Sequence, residues 1–458
     1  MGKQKQPNVQ SHWKIGNYQL RLPFIHYRLE APELIQGVVI FTIGLSMIEI
    51  MTGPLGMPYS AALAIVIFGQ FFMLLPPMLG VPFVPGFITP LIPVLIVFLG
   101  GFEPGTQAIQ ALIALQLIVA LIFLLFGVTG LGRLFVTKLP NSLKAGILIG
   151  AGIAAIMTEI ESGGRLAETP ITLIIGGLLC LYTMFSRSFR NLHDNNRVLR
   201  FIANYGIMPA IIVAILIGWL IQEYPSPQIE WGITIPSLPA MWSVTPFAIG
   251  FPGWEIFIAA APTAVLAYII AYGDIIVGDK LIERSSTFRP DEKIEYNSNQ
   301  IHMLTFIRNF AHALFFPHPG LAGPIFTAGT ASVAERYTFG KKAMQSIFSG
   351  TNSLLISLSL AIFILPLVTL FQPFLPIALS ITLILTGYLC ITVGIQQVNN
   401  EKEIGVAGVM GIVLAVYGAG HALLVGIVLY FIIQRETIFP RKSHVTEESH
   451  EQEKIENM

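Results

Sequence analysis

Two stretches decide the fold, VPFVPGFITPLIP at residues 81–93 and HPGLAGPIFTAGTAS at residues 318–332. Both lie within apolar sequence, yet their prolines remove backbone donors and hold the preceding residues in extended geometry. Each stretch predicts a short extended segment followed by a half-helix, which in the second we expect to begin near Ser332. Because non-helical backbone at membrane depth is tolerated only where protein or water satisfies it, the two stretches indicate an internal site.

The composition around these stretches is that of a membrane protein. Of the 458 residues, 54% are apolar and 11% are charged, whereas soluble domains carry roughly a quarter charged residues. The formal net charge is zero, so no basic bias points to nucleic acid. Cys180 and Cys390 lie in apolar runs without metal or disulfide spacing. Neither a phosphate-binding loop nor an HExxH motif occurs, so we expect no enzyme activity, no metal and no cofactor.

Hydrophobic length predicts fourteen membrane spans, because about 20 apolar residues in a helix cross a bilayer core of about 30 Å. The last two predicted spans are short and meet near Gly418 and Gly420, so they are also compatible with one re-entrant hairpin. The predicted spans are 34–52, 59–79, 82–100, 107–128, 140–160, 170–186, 204–222, 254–278, 301–316, 322–338, 344–366, 373–395, 404–417 and 419–434.

The basic residues predict the orientation of the chain. With the N-terminus in the cytoplasm and fourteen alternating spans, 24 of the 26 Lys and Arg residues fall on the cytoplasmic side, as the positive-inside rule requires. Arg165 falls in an outer loop, and Arg308 falls within a span. We therefore predict a multi-pass protein of the plasma (inner) membrane with both termini cytoplasmic.

The two broken spans occupy matching positions. The long segment 223–253 separates two halves of seven predicted spans, and the broken span is the third in each half. Because seven is odd, the second half begins on the opposite side of the membrane, which predicts inverted repeats. Both half-helices would then present N–H groups and positive dipole ends to a substrate near the midplane. The alternative is that the prolines only shape helix packing.

Intramembrane carboxylates are candidates for function because a charge at mid-bilayer is costly. Asp274 falls in the predicted eighth span, and Glu335 falls where we expect the first turn of the second half-helix. The alternatives are that Asp274 extends toward the cytoplasmic end of its span and that Glu335 is a helix cap or an ion-pair partner of Arg336. Arg308 is open to pairing with either carboxylate or to extending inward.

Four motifs carry a family resemblance. They resemble motifs of the nucleobase–ascorbate transporter family, which includes the xanthine and uracil permeases, within the wider superfamily shared with the sulfate permeases. In addition, Gln36 falls where the family's first span has Gln-His. The motifs are Phe87-Ile88-Thr89-Pro90, the segment from Pro140 to Gly150, Gly273-Asp274, and the segment from Thr330 to Glu335.

The resemblance implies an all-α fold of 7+7 inverted repeats with spans 3 and 10 broken, an elevator mechanism and a homodimer. It implies a core domain of spans 1–4 (34–138) and spans 8–11 (254–366). It also implies a gate domain of spans 5–7 (139–222) and spans 12–14 (367–434). The remaining segments would be a cytoplasmic N-terminal segment (1–33), an extracytoplasmic loop (223–253) and a disordered cytoplasmic tail (435–458).

The resemblance also implies the site residues. Asp274 and Glu335 would carry the coupling proton, although Na⁺ is a second candidate for the coupling ion. The substrate-binding residues would be Phe87, Ile88, Thr89, Asp274, Ala331, Ser332 and Glu335.

The sequence departs from the family at three positions: Ile270 replaces the eighth-span Glu, Arg336 replaces an Asn, and Gly37 replaces a His. The first hypothesis is proton- or cation-coupled uptake of a nucleobase-like solute. The second is a sulfate-permease-like anion transporter, with Arg336 and both half-helix N-termini holding the anion. The third is a sensor or scaffold that has lost transport. In each case the partners are the lipid bilayer and, for a transporter, a small-molecule substrate.

Overall fold

The computed structural model describes residues 9–161, 163–189, 191, 196 and 208–434. Seven of its helices are long and apolar enough to cross a membrane, and four shorter apolar helices accompany them. The chain is therefore an all-α polytopic membrane protein, as the composition predicts. The predicted span 204–222 is described from Met208 onward, and the predicted disordered tail lies outside the described residues.

The first half of the chain begins with a short hairpin and continues as helices. A 3₁₀ turn, Thr89–Leu91, precedes α5. The elements are β1 (Trp13–Ile15), β2 (Tyr18–Leu20), α1 (Ala31–Leu45), α2 (Ile48–Thr52), α3 (Tyr59–Phe72), α4 (Leu75–Met78), β3 (Gly86–Phe87), α5 (Ile92–Leu99), α6 (Thr106–Thr129), α7 (Gly132–Lys138), α8 (Asn141–Ile160), α9 (Arg165–Glu168), α10 (Pro170–Phe185) and α11 (Met208–Leu220).

The second half contains the longest helices. A second 3₁₀ turn, Gln372–Phe374, precedes α19. The elements are α12 (Leu238–Trp242), α13 (Pro246–Ile249), α14 (Trp254–Ser286), α15 (Ser298–Phe315), β4 (Ala322–Gly323), α16 (Thr327–Thr338), α17 (Ile347–Ala361), α18 (Leu365–Phe371), α19 (Leu375–Gln397) and α20 (Glu401–Ile433).

The break predicted between the last two spans is present in α20. Gly418 has φ 79° and ψ −177°, which is not helical geometry. Only glycine adopts a positive φ of this kind without strain, so the residue type allows the two segments of α20 to meet at a kink.

Both spans are broken where their prolines predict, and the two extended segments pair with each other. β3 pairs antiparallel with β4, with Gly86 opposite Gly323 and Phe87 opposite Ala322. Each strand leads directly into its half-helix, α5 after the 3₁₀ turn and α16 after Phe326. Because the strands are antiparallel, the half-helices leave in opposite directions and their N-termini lie together. We call β3, β4 and the first turns that follow them the crossing.

Small residues bring the remaining helices close together. α8 packs against α19 and α20, α1 against α17, and α6 against α14 and α15. A Cβ on Gly152 would lie 2.6 Å from the Gly387 carbonyl oxygen, so glycine is required where α8 meets α19. Close approach at small residues is the usual way in which membrane helices gain packing energy.

The N-terminal segment contains more structure than its polar sequence suggests. β1 and β2 form a hairpin around Gly16 and Asn17, and a Gly-Asn pair between alternating residues is a known hairpin pattern. After this hairpin the Arg21 guanidinium lies 3.8 Å from the centre of the Phe348 ring. The hairpin thereby attaches the N-terminal segment to the start of α17.

Candidate substrate site at the crossing of two broken spans

Helix α15 holds the crossing together through two adjacent side chains. Arg308 donates from one terminal nitrogen to the Gly323 carbonyl at 2.7 Å and from the other to the Gly86 carbonyl at 3.1 Å. Asn309 accepts from the Ala322 N–H at 2.9 Å and donates to the Ala322 carbonyl at 2.8 Å. Both side chains are fully buried. They satisfy backbone groups that a two-residue ladder leaves open, which is a requirement at membrane depth.

The structure shows which groups bond to Arg308, which the sequence leaves open. Its guanidinium pairs with neither Asp274 nor Glu335, and no carboxylate of the described residues forms an ion pair with it. Its positive charge is thus stabilised only by the two carbonyl oxygens of the crossing. A buried charge without a counter-ion gives its surroundings a strong electrostatic preference for anions.

Glycine is needed at both paired positions of the crossing. A Cβ on Gly323 would lie 2.9 Å from the Phe87 carbonyl carbon, and a Cβ on Gly86 would lie 2.7 Å from the Phe326 Cβ. The first neighbour is backbone and cannot rotate away. The close approach of the strands therefore depends on these glycines, a role typical of glycine in strands.

The predicted residues of the third span lie at the crossing itself. Phe87 is half-buried and stacks on the His318 ring, with centroids 4.4 Å apart and 14° between the planes. Ile88 is fully buried, and its N–H donates to the Gly320 carbonyl at 3.1 Å. Thr89 is half-buried and begins the 3₁₀ turn. Of the three, Phe87 and Thr89 have surface that a substrate could contact.

The tenth-span half-helix begins earlier than the sequence suggests. α16 starts at Thr327 rather than near Ser332, because the extended geometry imposed by Pro324 ends at Phe326 and no later residue interrupts the helix. Ala331 and Ser332 are half-buried in its second turn. The Ser332 hydroxyl exchanges hydrogen bonds with the Gln36 amide at 2.9 and 3.2 Å. Gln36 of α1 is thus part of the same polar surface.

Glu335 is not at the start of the half-helix. It lies eight residues beyond Thr327, which is about 12 Å along the axis, and its side chain is exposed. The expectation that it lies in the first turn and profits from the helix dipole there is therefore wrong. The dipole effect is confined to the first turn.

Arg336 is already paired and does not face the crossing as a free cation. Its guanidinium forms two hydrogen bonds with the Glu33 carboxylate, at 2.5 and 2.7 Å, and lies 3.6 Å from Glu30. The pair joins the end of α16 to the first turn of α1. Arg336 therefore pairs with Glu33 and not with Glu335. The same pair occupies the guanidinium that the anion hypothesis assigned to the substrate.

Asp274 lies on the face of α14 that approaches α19. It is half-buried and close enough to the Cys390 thiol to interact with it electrostatically. Ile270, one turn earlier, is 5% exposed, so the position of the family's Glu faces packed apolar side chains.

The departure at Gly37 also has a structural reason, because a Cβ there would lie 2.0 Å from the Ser357 hydroxyl. A histidine has no room at that helix contact.

Metal ligation has no basis in the described part of the chain. No group of three or more His, Cys, Asp or Glu side chains is arranged to hold an ion there. Both cysteines are buried and free. The polar groups of the crossing are instead backbone N–H and C=O groups, hydroxyls, amides and one guanidinium.

Comparison with solved structures finds a similar fold in three structures of membrane transporters. The transmembrane domain of a cyanobacterium bicarbonate transporter, BicA, matches with a TM-score of 0.50 and 18% identity over 88% of this chain and 98% of that one. The murine anion transporter Slc26a9, in the inward-facing state, matches with a TM-score of 0.52 and 14% identity over 93% of this chain and 70% of that one. A further structure of SLC26A9 matches with a TM-score of 0.53 and 15% identity over 88% of this chain and 65% of that one.

At such identities the likeness shows the fold. No protein-family model and no curated protein matches the sequence. The comparisons show the fold that the sequence resemblance implies, and they do not show the nucleobase–ascorbate family.

Proposed function

We propose that the protein is a secondary transporter of a small anion, which binds at the crossing. The observation that carries this proposal is Arg308, a fully buried guanidinium bonded to the carbonyls of both broken strands and paired with no carboxylate of the described residues. It supports the anion hypothesis more strongly than the nucleobase hypothesis that the motifs favour. The fold shared with proteins described as bicarbonate and anion transporters agrees with this choice.

Three sources of positive potential act together at this place. Two half-helices begin there and direct their positive dipole ends at the crossing. Arg308 adds a full charge and also occupies the Gly86 and Gly323 carbonyls, whose negative ends would otherwise face the same region. Glu335, the carboxylate that the sequence analysis places at the start of this half-helix, is exposed near the other end of α16. The balance favours an anion.

Recognition would use the polar surface of α16 and α1. Ala328, in the first turn of α16, is exposed, so this turn borders open space. Ser332 and Gln36 can donate to an oxyanion by releasing their mutual hydrogen bonds. Phe87 and Thr89 would border the same space from the third span. No catalytic group and no cofactor is required for this function.

Transport would follow the elevator scheme, with spans 1–4 and 8–11 as the moving core domain and spans 5–7 and 12–14 as the gate domain. The packing of α1 on α17 and of α6 on α14 and α15 supports the first group. The packing of α8 on α19 and α20 and of α10 on α11 supports the second. Asp274 of α14, which interacts electrostatically with Cys390 of α19, is our candidate for coupling to H⁺ or Na⁺. Plasma-membrane insertion with cytoplasmic termini and a homodimeric assembly belong to the same proposal.

A nucleobase-like planar solute is the second candidate. The observation that favours it is the half-buried Phe87 ring, whose stacking on His318 holds it in one plane at the crossing. A planar ring could stack on the remaining surface of Phe87. Against it stands the position of Glu335, which is too far along α16 to bind a solute at the crossing together with Phe87.

Ligand-induced stabilisation of the purified, detergent-solubilised protein tests the proposal. Bicarbonate, sulfate and small dicarboxylates are compared with uracil, xanthine, hypoxanthine, adenine and ascorbate. A ligand at a hundredfold excess over its dissociation constant stabilises the folded protein by about 2.7 kcal/mol. We expect an anion to raise Tm and the nucleobases to have no effect. A nucleobase response would favour the second candidate.

Two Arg→Lys variants locate the binding site. Arg308→Lys keeps the charge but loses the forked donor, so the anion-induced rise in Tm should shrink strongly. Arg289→Lys is the matched control, because Arg289 is equally buried but stacks on Tyr337, 4.3 Å from its ring centre, away from the crossing. It should lower the Tm of the free protein and leave the anion-induced rise intact. Equal loss in both variants would contradict a site at the crossing.

A further inference from the structure

Three fully buried polar side chains meet beside the crossing without completing their hydrogen bonds. They are Gln116 of α6, His312 of α15, and His318 of the extended segment before β4, and none has any solvent exposure. The unpartnered atoms are the Gln116 Oε1, both ring nitrogens of His312 and the Nε2 of His318. Buried polar atoms are normally satisfied by protein or by ordered water, so this group calls for an explanation.

The tautomer of His318 follows from its one hydrogen bond on the ring. The Gly320 N–H donates to the His318 Nδ1 at 3.0 Å, so this nitrogen carries a lone pair. A neutral imidazole with an accepting Nδ1 bears its proton on Nε2. The His318 Nε2–H is therefore a buried donor that lacks an acceptor among the described residues.

Gln116 and His312 provide further hydrogen-bonding groups near the His318 Nε2–H. Gln116 donates through its Nε2 to the His318 carbonyl at 2.9 Å, which directs its Oε1 to the same neighbourhood as an acceptor. The His312 and His318 rings have centroids 5.7 Å apart and are tilted by 45°, and no hydrogen bond joins the two rings. Neutral His312 offers one donor and one acceptor.

Gly69 of α3 borders the same space. A Cβ built on Gly69 would lie 3.2 Å from the His318 Cδ2 and 3.9 Å from the His312 Nε2. Cδ2 is the nearest atom of the His318 ring to this position, and Nε2 is the nearest atom of the His312 ring. Glycine at position 69 therefore lets α3 approach the place where the two rings converge.

The chemistry of the group selects the ligand. A cation is disfavoured, because Arg308 is the charged group that interacts with both rings and no carboxylate does so among the described residues. An anion is disfavoured, because the Gln116 Oε1 and one nitrogen of His312 are acceptors. Two donors and two acceptors around one space match the hydrogen-bonding capacity of water, which bonds to about three buried polar groups on average.

We propose that the space between Gln116, His312 and His318 binds ordered water, which links α6 and α15 to the tenth broken span. The water accepts from the His318 Nε2–H and donates to the Gln116 Oε1, and His312 completes its shell. This network fixes the plane of the His318 ring, on which Phe87 stacks at 4.4 Å. His318 is thereby a positioning residue for the aromatic side of the crossing. The proposal does not depend on the identity of the transported solute.

A double-mutant cycle on the thermal unfolding of the full-length protein tests the proposal. Gln116 and His312 form no hydrogen bond with each other, so a coupling between their side-chain polar atoms requires an intermediary, which the proposal identifies as water. Replacing one partner leaves the other partly unsatisfied, whereas replacing both with apolar residues removes the demand for water. We expect His312→Phe and Gln116→Leu each to lower Tm, and the double variant to lower it by clearly less than the sum.

The matched control pairs Gln116→Leu with His302→Phe. His302 lies on the same helix but about 15 Å away along its axis, where it bonds to the Tyr268 hydroxyl and the Ser298 carbonyl. Substitutions this far apart add. A dry space would give the opposite result, because His312→Phe would then remove unsatisfied polar atoms and raise Tm. A rise in Tm, or an additive Gln116–His312 pair, overturns the proposal.

A density map of the unmodified protein at a resolution that shows ordered water provides the second measurement. We expect a peak within hydrogen-bonding distance of both the His318 Nε2 and the Gln116 Oε1. Clear density for the three side chains with no peak between them overturns the proposal even if the variants do not fold.

Discussion

The two broken spans share one geometry but differ in chemistry. After β3, the third span continues through a 3₁₀ turn into α5, whose eight residues are apolar. After β4, the tenth span continues directly into α16, which carries the hydroxyls of Thr327, Thr330 and Ser332. Backbone and side-chain groups of the tenth span also bond to α15, to α1 and to the third span. The two half-helices thus differ, because α5 is apolar whereas α16 carries side chains that form hydrogen bonds.

This difference suggests that the two half-helices have different roles. Apolar α5 fixes the position of one helix N-terminus, and polar α16 provides the side chains that can distinguish between solutes. Arg308 serves both, because its two terminal nitrogens bond to one carbonyl from each strand. The following predictions test whether the crossing depends on these polar contacts in the way that the comparison implies.

The largest effect is expected from Arg308→Met. The variant loses two charge-assisted hydrogen bonds and leaves the Gly86 and Gly323 carbonyls unsatisfied, which should destabilise the protein by about 4 kcal/mol. Anion uptake into proteoliposomes should be abolished, while Arg308→Lys should retain a fraction of it. Uptake by Arg308→Met at the wild-type rate, with unchanged affinity, would show that the guanidinium neither holds the crossing nor favours the anion.

Gly323→Ala should come next, because its new Cβ meets the backbone at Phe87. Overpacking against rigid backbone costs about 1–3 kcal/mol, and separation of β3 from β4 should reduce uptake in parallel. Gly408→Ala in α20 is the control, since nothing lies within 4 Å of a Cβ there. Thermal unfolding and uptake of the two variants are compared. Similar behaviour of both would indicate that the strands can separate without loss of function.

Arg336→Gln should have a moderate effect confined to stability. It removes the bidentate contact to Glu33 and leaves that carboxylate, which is 2% exposed, with a weaker partner. A loss of about 2 kcal/mol is expected, and Glu33→Gln in the same background should recover part of it. The cycle is measured by thermal unfolding. If Arg336→Gln abolishes anion binding in a protein that remains folded, Arg336 contacts the substrate after all.

Glu335→Gln should have the smallest effect and decides between the two substrate classes. Because Glu335 is exposed and about 12 Å from the start of α16, anion uptake should persist or rise slightly. A proton-coupled carrier that binds its solute through this carboxylate would lose uptake instead. The measurement is the initial rate of uptake with an imposed pH gradient, in wild type and variant side by side.

Sequence alone predicts the spans well because their apolar length is set by the bilayer. All fourteen predicted segments coincide with helix or broken span where the chain is described, although the number that cross the membrane stays a prediction. The prolines at 82, 85 and 90 and those at 319 and 324 locate both breaks, since proline acts locally. The antiparallel pairing of β3 with β4 agrees with the inverted order that we predict for the two halves.

The side-chain partners at the site could not be predicted in the same way. Glu33 and Arg336 are 303 positions apart, and nothing local in either segment indicates their pairing. The early start of α16 was missed because Thr327 and Ala328 have no capping residue before them and resemble loop sequence. Arg308-Asn309 was a usable signal, since two adjacent polar residues in an apolar span must bond to something inside the protein.

Uptake by proteoliposomes containing the purified protein tests the central claim most directly. Labelled bicarbonate and sulfate are offered in parallel with labelled uracil and xanthine, and Arg308→Lys is assayed beside the wild type. Our account predicts saturable uptake of an anion, no uptake of either nucleobase, and a large loss in Arg308→Lys. Uptake of a nucleobase that is unaffected by Arg308→Lys and abolished by Glu335→Gln would contradict it.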